Sequence, residues 1–213
     1  PVERSTSGSD HISVMLNEVI EALEPTGDGV YVDGTFGAGG YSRAILQKNV
    51  SMLWAIDRDP TVMAAAQKLG KEFPGKFALL QGCFSDMENL LKASGQDYVD
   101  GIVLDIGVSS MQLDQAERGF SFMRDGPLDM RMGDQGKTAA DVVNETEEEE
   151  LANIIYQFGE ERASRRVARA IVEARAEKDF EGTLELSKVV EKAVGGPKYK
   201  KGKRQIHGAT RTF

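Results

Sequence analysis

Val30-Tyr31-Val32-Asp33-Gly34-Thr35-Phe36-Gly37-Ala38-Gly39-Gly40 decides the fold of this chain. Val30 to Val32 are β-branched or aromatic and read as a short buried strand. Asp33 ends it, and Gly34, Gly37, Gly39 and Gly40 follow, residues that let a loop turn sharply and a ligand approach the backbone. Tyr41 to Leu46 reads as the start of a helix. Strand, glycine loop and helix form the nucleotide-binding corner of a doubly wound fold. The loop departs from G-x-G-x-x-G, so by itself it fits either an adenosine cofactor or a tight structural turn.

The next apolar run, Met52 to Ile56, ends in Asp57. A carboxylate at the end of strand 2, about 20 residues past the glycines, is placed to accept ribose hydroxyls. Asp57-Arg58-Asp59-Pro60 also looks like a helix start, but Asp59 before Pro60 fills the capping role better and leaves Asp57 for the ligand. Strand 3 is expected over Lys76–Gln81, followed by Gly82-Cys83-Phe84, and strand 4 over Val99–Leu104, followed by Asp105. His11–Leu16 is expected to lead into a helix through Leu23, and helices are expected over Pro60 to Leu69 and Met87 to Ala93. This alternation gives a parallel sheet, whose ligands bind beyond the carboxyl ends of the strands. The loops with Gly39, Asp57, Phe84 and Asp105 then converge on one crevice.

After Ser110 the periodicity changes. Residues 111–135 are aperiodic, and the remainder is helical. Thr146-Glu147-Glu148-Glu149 has a capping-box pattern, with Leu151, Ile154, Ile155 and Phe158 on one apolar face. A second helix, Glu160 to Lys178, sets Val167, Ala168, Ile171 and Ala174 opposite Arg162, Arg165, Arg166 and Arg169. The arginines read as an RNA surface or as a solvated face with Glu161–Arg165 pairing. Leu186, Val189, Val190 and Val194 mark a third helix. Residues 198–211 carry six Lys or Arg and no acid, suited to phosphate contact or to a solvated basic loop.

At 213 residues and 40% apolar content the chain can bury one sizeable core or a domain with an insert. A net charge of −8 argues against a wholly basic nucleic-acid coat. The single cysteine, Cys83, cannot form an internal disulfide and reads as a small core residue, consistent with a reducing compartment. No apolar run approaches a membrane span, no signal peptide is visible, and His11, Cys83 and His207 have no metal-ligand spacing. The expectation is a cytoplasmic protein without membrane or metal. The first residue is Pro1, as in a trimmed or incomplete start.

Longer blocks go beyond these patterns. They are Asp33–Gly40, Ala55–Pro60, Val99–Asp105, Gly107–Asp114, Glu117–Phe122, Asp125–Met132, Tyr156–Arg162 and Ala209–Phe213. Together they closely resemble the bacterial 16S ribosomal RNA cytosine-N4 methyltransferase family and its mitochondrial relatives, from about His11 to Phe213. The resemblance implies a Rossmann-like class I methyltransferase sheet, here its first four strands, with an inserted α-helical domain. Domains follow as 1–110 for cofactor, 111–208 for the substrate-recognition insert and 209–213 for the start of a return. It implies S-adenosyl-L-methionine as cofactor and, as acceptor, N4 of a decoding-site cytidine in 16S rRNA of the small ribosomal subunit. Cofactor contacts carry over to Gly39, Gly40, Tyr41, Asp57, Phe84, Asp105 and Gln112, with Tyr41 where many relatives have His.

Asp57 would take the ribose hydroxyls and Phe84 would pack on adenine, while Asp105 and Gln112 line the side near the incoming base. DNA N4-cytosine enzymes place (D/N/S)-P-P-(Y/F) after strand 4, whereas this chain has Asp105-Ile106-Gly107-Val108. The amine would then be held by another set, Asp105 with Ser109 or Ser110. Phe120 or Phe122 could stack on the target base or be buried where the insert meets the sheet. The chain is read as a C-terminally truncated fragment whose strand 4 borders an empty place. A non-catalytic RNA-binding module is the alternative. A nicotinamide-dependent oxidoreductase would need a G-x-G-x-x-G loop and a substrate His or Tyr–Lys pair, and this sequence shows neither.

Overall fold

The computed structural model describes residues 13–195 and 207–213. The chain divides into two compact units, 1–107 and 108–213.

The first unit is a parallel sheet of four strands, β1 (Val30–Asp33), β2 (Met52–Asp57), β3 (Phe77–Gln81) and β4 (Gly101–Val103), in the order β3-β2-β1-β4. Its helices are α1 (Leu16–Leu23), α2 (Gly40–Leu46), α3 (Met63–Glu72) and α4 (Met87–Ala93). Alternate strand residues face opposite ways, so Tyr31, Leu53 and Ala55 join Phe36, Ile45 and Leu69 in one core, lined also by α1. Val32 and Ile56 meet Leu91 on the other face, with Trp54 and Leu80 beside them. Each fully buried Leu or Ile here contributes about 1.5–3 kcal/mol. Covered on both faces, this is the Rossmann-like α/β arrangement expected. Its order reverses between β1 and β4, which puts the switch point between the loops that leave those strands.

β4 is shorter than the expected 99–104. It pairs with β1 alone, and Ile102 lies exposed at the edge of the sheet. The helix predicted from Pro60 begins as a 3-10 turn over Pro60–Val62 before α3.

The second unit contains α5 (Ser110–Asp114), α6 (Ala139–Glu145), α7 (Glu148–Gly159), α8 (Ser164–Arg175) and α9 (Thr183–Val194). Leu128, Val143, Leu151, Ile155, Val167, Ile171, Leu186, Val190 and Ala209 are buried together. The aperiodic stretch before α6 is ordered by polar contacts. Arg118 donates to the carbonyls of Arg131 (3.0 Å) and Met132 (3.1 Å), and Leu128 N–H to Glu181 O at 3.0 Å. Phe122 packs on His207 and Phe213, so its ring belongs to this unit's own core.

Two helix-level expectations are corrected. The capping box forms at Thr138 and Asp141, at the start of α6. Thr146 instead ends α6, its N–H bonding Val142 O, and α7 starts from Glu147 without a side-chain cap. Phe158 is not on the apolar face: it is 83% exposed, in the last turn of α7. There Gly159, not Phe158, faces the chain, because a Cβ on Gly159 would lie 1.8 Å from Arg211 O. The Lys198–Arg204 cluster lies outside the described residues.

Candidate functional site

The carboxyl ends of the four strands are linked to one another by hydrogen bonds. Phe36 N–H bonds Ile56 O at 3.1 Å, Gly82 N–H bonds Asp57 O at 2.9 Å, and Gly34 N–H bonds Val103 O at 2.9 Å. Gly34 lets these ends close together, since a Cβ there would lie 2.4 Å from Leu104 Cδ2 and 3.4 Å from Phe84 Cβ. Gly39, Gly40, Tyr41, Asp57, Phe84 and Asp105 all sit on this rim. Gln112 is buried in the second unit, where its Oε1 accepts Ser109 N–H at 3.0 Å.

Beneath the glycine loop lies Asp33, fully buried. Its Oδ2 accepts the Ser42 hydroxyl at 2.7 Å and its Oδ1 the Thr35 N–H at 3.2 Å. Burial pushes its pKa up to about 6 against these hydrogen bonds. Thr35 in turn accepts the backbone N–H of Asp105. Gly37 (φ 51°) and Gly39 (φ 80°) are in the left-handed region, where a side chain would strain the backbone.

Asp59 caps the turn as expected, its Oδ1 accepting Thr61 N–H at 3.0 Å and the Thr61 hydroxyl at 2.7 Å. Asp57 is not left wholly to a ligand, however. Its Oδ2 accepts Gly37 N–H at 2.8 Å and its Oδ1 accepts Asp59 N–H at 2.9 Å. The carboxylate therefore shapes the loop as well as facing its rim, and each oxygen keeps a second lone pair. Tyr41 turns its ring inward: it is buried and its hydroxyl donates to Val14 O. Burial, with Asp105 and Asp33 nearby, holds its phenol above the ordinary range. Phe84 presents a partly exposed ring after β3. Cys83 beside it is half-buried, outside the core expected for it, and hydrogen bonds from Ser85, with Arg58 nearby, hold its thiol below the ordinary range.

This donor set fits an adenosyl group that carries ribose and positive charge. Two carboxylate oxygens with spare lone pairs suit vicinal hydroxyls, the Phe84 ring suits a flat base, and Asp57 and Asp105 make the rim acidic. Such a rim disfavours a pyrophosphate and favours a cation. Ser109, one candidate for holding an amine, spends its hydroxyl as a cap, accepting Gln112 N–H at 3.2 Å. A separate hollow of about 280 Å³ lies in the helical unit, lined by Val142, Ile155, Ile171 and Phe213 with Lys137 and Asp129. It has no glycine loop, and Asp129 is held by Arg131 at 2.7 Å. Among the described residues no helix is long and apolar enough to cross a membrane.

The MraW methylase family model matches residues 8–213. The chain is similar to the ribosomal RNA small subunit methyltransferase H of Paramagnetospirillum magneticum, 60% identical over 207 residues, 97% of this chain and 64% of that protein. The protein of the same name in Rhodospirillum rubrum is 58% identical over 203 residues, 95% of this chain and 61% of its own. For Caulobacter vibrioides the figures are 56% over 207 residues, 97% and 63%. The chain thus spans between 61% and 64% of the length of these three relatives.

Proposed function

Because the chain belongs to the MraW methylase family, we propose that it carries the cofactor site of an S-adenosylmethionine-dependent methyltransferase acting on small-subunit rRNA. The acceptor is N4 of a decoding-site cytidine in 16S rRNA, and residues 111–208 form the insert that recognises it. On this reading the protein works in the cytoplasm, on the small subunit or its RNA. The observation that carries the reading is the acidic rim at the strand switch point, where Asp57 both shapes the glycine loop and retains acceptor capacity.

When bound, S-adenosylmethionine supplies a methyl group made electrophilic by its sulfonium. Asp57 takes the ribose hydroxyls, Phe84 packs on the adenine, and the Gly39–Gly40 backbone leaves room for the chain between them. Asp105, its backbone N–H held by Thr35, lines the acceptor side of the cofactor corner. The cytosine amine is a poor nucleophile because its lone pair is conjugated with the ring. The protein's contribution is therefore to align N4 with the methyl carbon and to accept hydrogen bonds from the amine as it pyramidalises. Once N4 takes the methyl group that the bound sulfonium would supply, its displaced proton passes to water.

Incubation of small subunits with tritium-labelled S-adenosylmethionine tests this reading, followed by digestion of the RNA to nucleosides. Label in N4-methylcytidine is the expected result, and label in another nucleoside or none overturns it. The second reading, an RNA-binding module without catalysis, is favoured by the exposed arginines of α8. It expects RNA binding with no transfer of label.

A further inference from the structure

We propose that the end of the helical hairpin made by α7 and α8 is a docking surface for unpaired RNA. Tyr156 and Phe158 stack on bases there, and Arg162, Arg165, Arg166 and Arg211 meet phosphates. The inference rests on the reading that this chain acts on RNA, and it names the surface that would hold that RNA.

Glu160, in the left-handed region at φ 52°, ends α7, and Ala163 precedes α8, so the turn between the helices is only a few residues long. The last turn of α7 and the first turn of α8 therefore meet at the same end of the hairpin, their other turns packed through Leu151, Ile155, Val167 and Ile171. At that end Phe158 is 83% and Tyr156 59% exposed. Large rings left in water next to a well-packed core are informative, since burying them would have been favourable.

The cations around them are available. Arg162, Arg165 and Arg166 are exposed and, among the described residues, make no ion pair. Arg211 is fixed beside Gly159, its Nη1 donating to Glu160 O at 3.1 Å. The neighbouring acid Glu161 is occupied, its Oε1 accepting Ala163 N–H at 2.7 Å, so it does not form the pair with Arg165 that sequence spacing allows. Glu160 is the exposed acid left at the turn, and four guanidinium groups outnumber it. Arg169 stands apart, 3.6 Å from Glu148. Arg165 and Arg166 occupy the first turn of α8, the positive end of the helix, where cations are least favoured and an anion is most favoured. Exposed rings at the same end of a hairpin as exposed guanidinium groups are the composition of a single-stranded nucleic-acid platform, the rings taking base faces and the cations following the backbone.

The test is fluorescence anisotropy of a short, unstructured, labelled RNA titrated with the chain, with S-adenosylmethionine affinity measured in parallel by calorimetry. Phe158→Ala should weaken RNA binding about 5- to 100-fold. The double variant R165Q/R166Q should weaken it too and lower the salt slope by about 1.4, or 0.7 for each lost contact to single-stranded RNA. Melting temperature and cofactor affinity should stay put in both, since these side chains are on the surface. RNA affinity unchanged in both variants overturns the proposal. Loss confined to the arginine variant overturns the stacking half, and loss confined to Phe158→Ala overturns the phosphate half. If Phe158→Ala changes only sedimentation behaviour, the patch is a protein contact and the proposal falls. A chain that binds no RNA overturns it outright, and the calorimetry then tells whether the methyl-transfer reading falls as well.

Discussion

The backbone N–H of Asp105 donates to Thr35 Oγ1 at 2.7 Å, so the loop leaving β4 is pinned to the loop leaving β1 across the switch point of the sheet. Thr35→Val keeps the shape of the side chain and removes the acceptor. Its stability cost should be modest, about 0.5–1.5 kcal/mol, because Asp105 is exposed and water can replace the bond. The sharper effect is local: faster amide hydrogen exchange at Asp105, restored by Thr35→Ser. Equal exchange in all three proteins would show that the bond does not hold the loop.

Asp33 makes stability depend on pH. Burial raises its folded pKa to about 6 from the ordinary 3.8 of an aspartate, so the folded state holds the proton more tightly. That contribution is fully present below pH 3.8 and is lost as pH rises through about 6. Asp33→Asn does not titrate. Between those limits the wild-type chain should lose about 3 kcal/mol relative to the variant, two pKa units at about 1.4 kcal/mol each. Urea unfolding of both proteins across that range gives the difference directly, and a flat difference would contradict the assignment.

Asp57→Ala removes acceptors from both the loop and the proposed ribose. S-adenosylmethionine affinity should fall roughly 10- to 150-fold, the equivalent of about 1.5–3 kcal/mol. Asp57→Asn keeps one acceptor oxygen and should fall between the two. An unchanged dissociation constant by calorimetry removes Asp57 from the cofactor site.

Gly159→Ala puts a methyl group where Arg211 O already stands, 1.8 Å away. Either α7 or the terminal turn must move, at a cost of about 1–3 kcal/mol. Chemical denaturation of the helical unit measures it, and wild-type stability would mean the contact yields without cost.

The sheet was legible because its signal is local. Val30–Val32 and Met52–Ile56 are short apolar runs closed by Asp33 and Asp57, and burial on both faces leaves that pattern in any parallel strand. What escaped depends on partners distant in sequence. No rule of spacing shows that Gly37 N–H, 20 residues before Asp57, will claim one of its oxygens. Helical periodicity put Phe158 with Leu151 and Ile155, but periodicity cannot tell whether a neighbour covers the last turn. The nearest available signal was Gly159-Glu160, which marks where the helix stops and its apolar face ends. Thr146 has the letters of a capping box, yet α6 still needs it as a terminus. Legible in type but not in use was Glu161, spaced to pair with Arg165 and spent on Ala163 N–H.

The burial of Ala209 sets an order of events for the growing chain. The helical unit's core includes α6 to α9 and this residue together, and Phe122 is stacked between His207 and Phe213. While a ribosome is still adding the segment after α9, the four helices have a hole where Ala209 belongs and Phe122 lacks both ring neighbours. Strands β1 to β4 and the loops that leave them are made earlier than Ala209. Synthesis from the N-terminus thus makes the glycine-loop corner before the helical unit can bury Ala209.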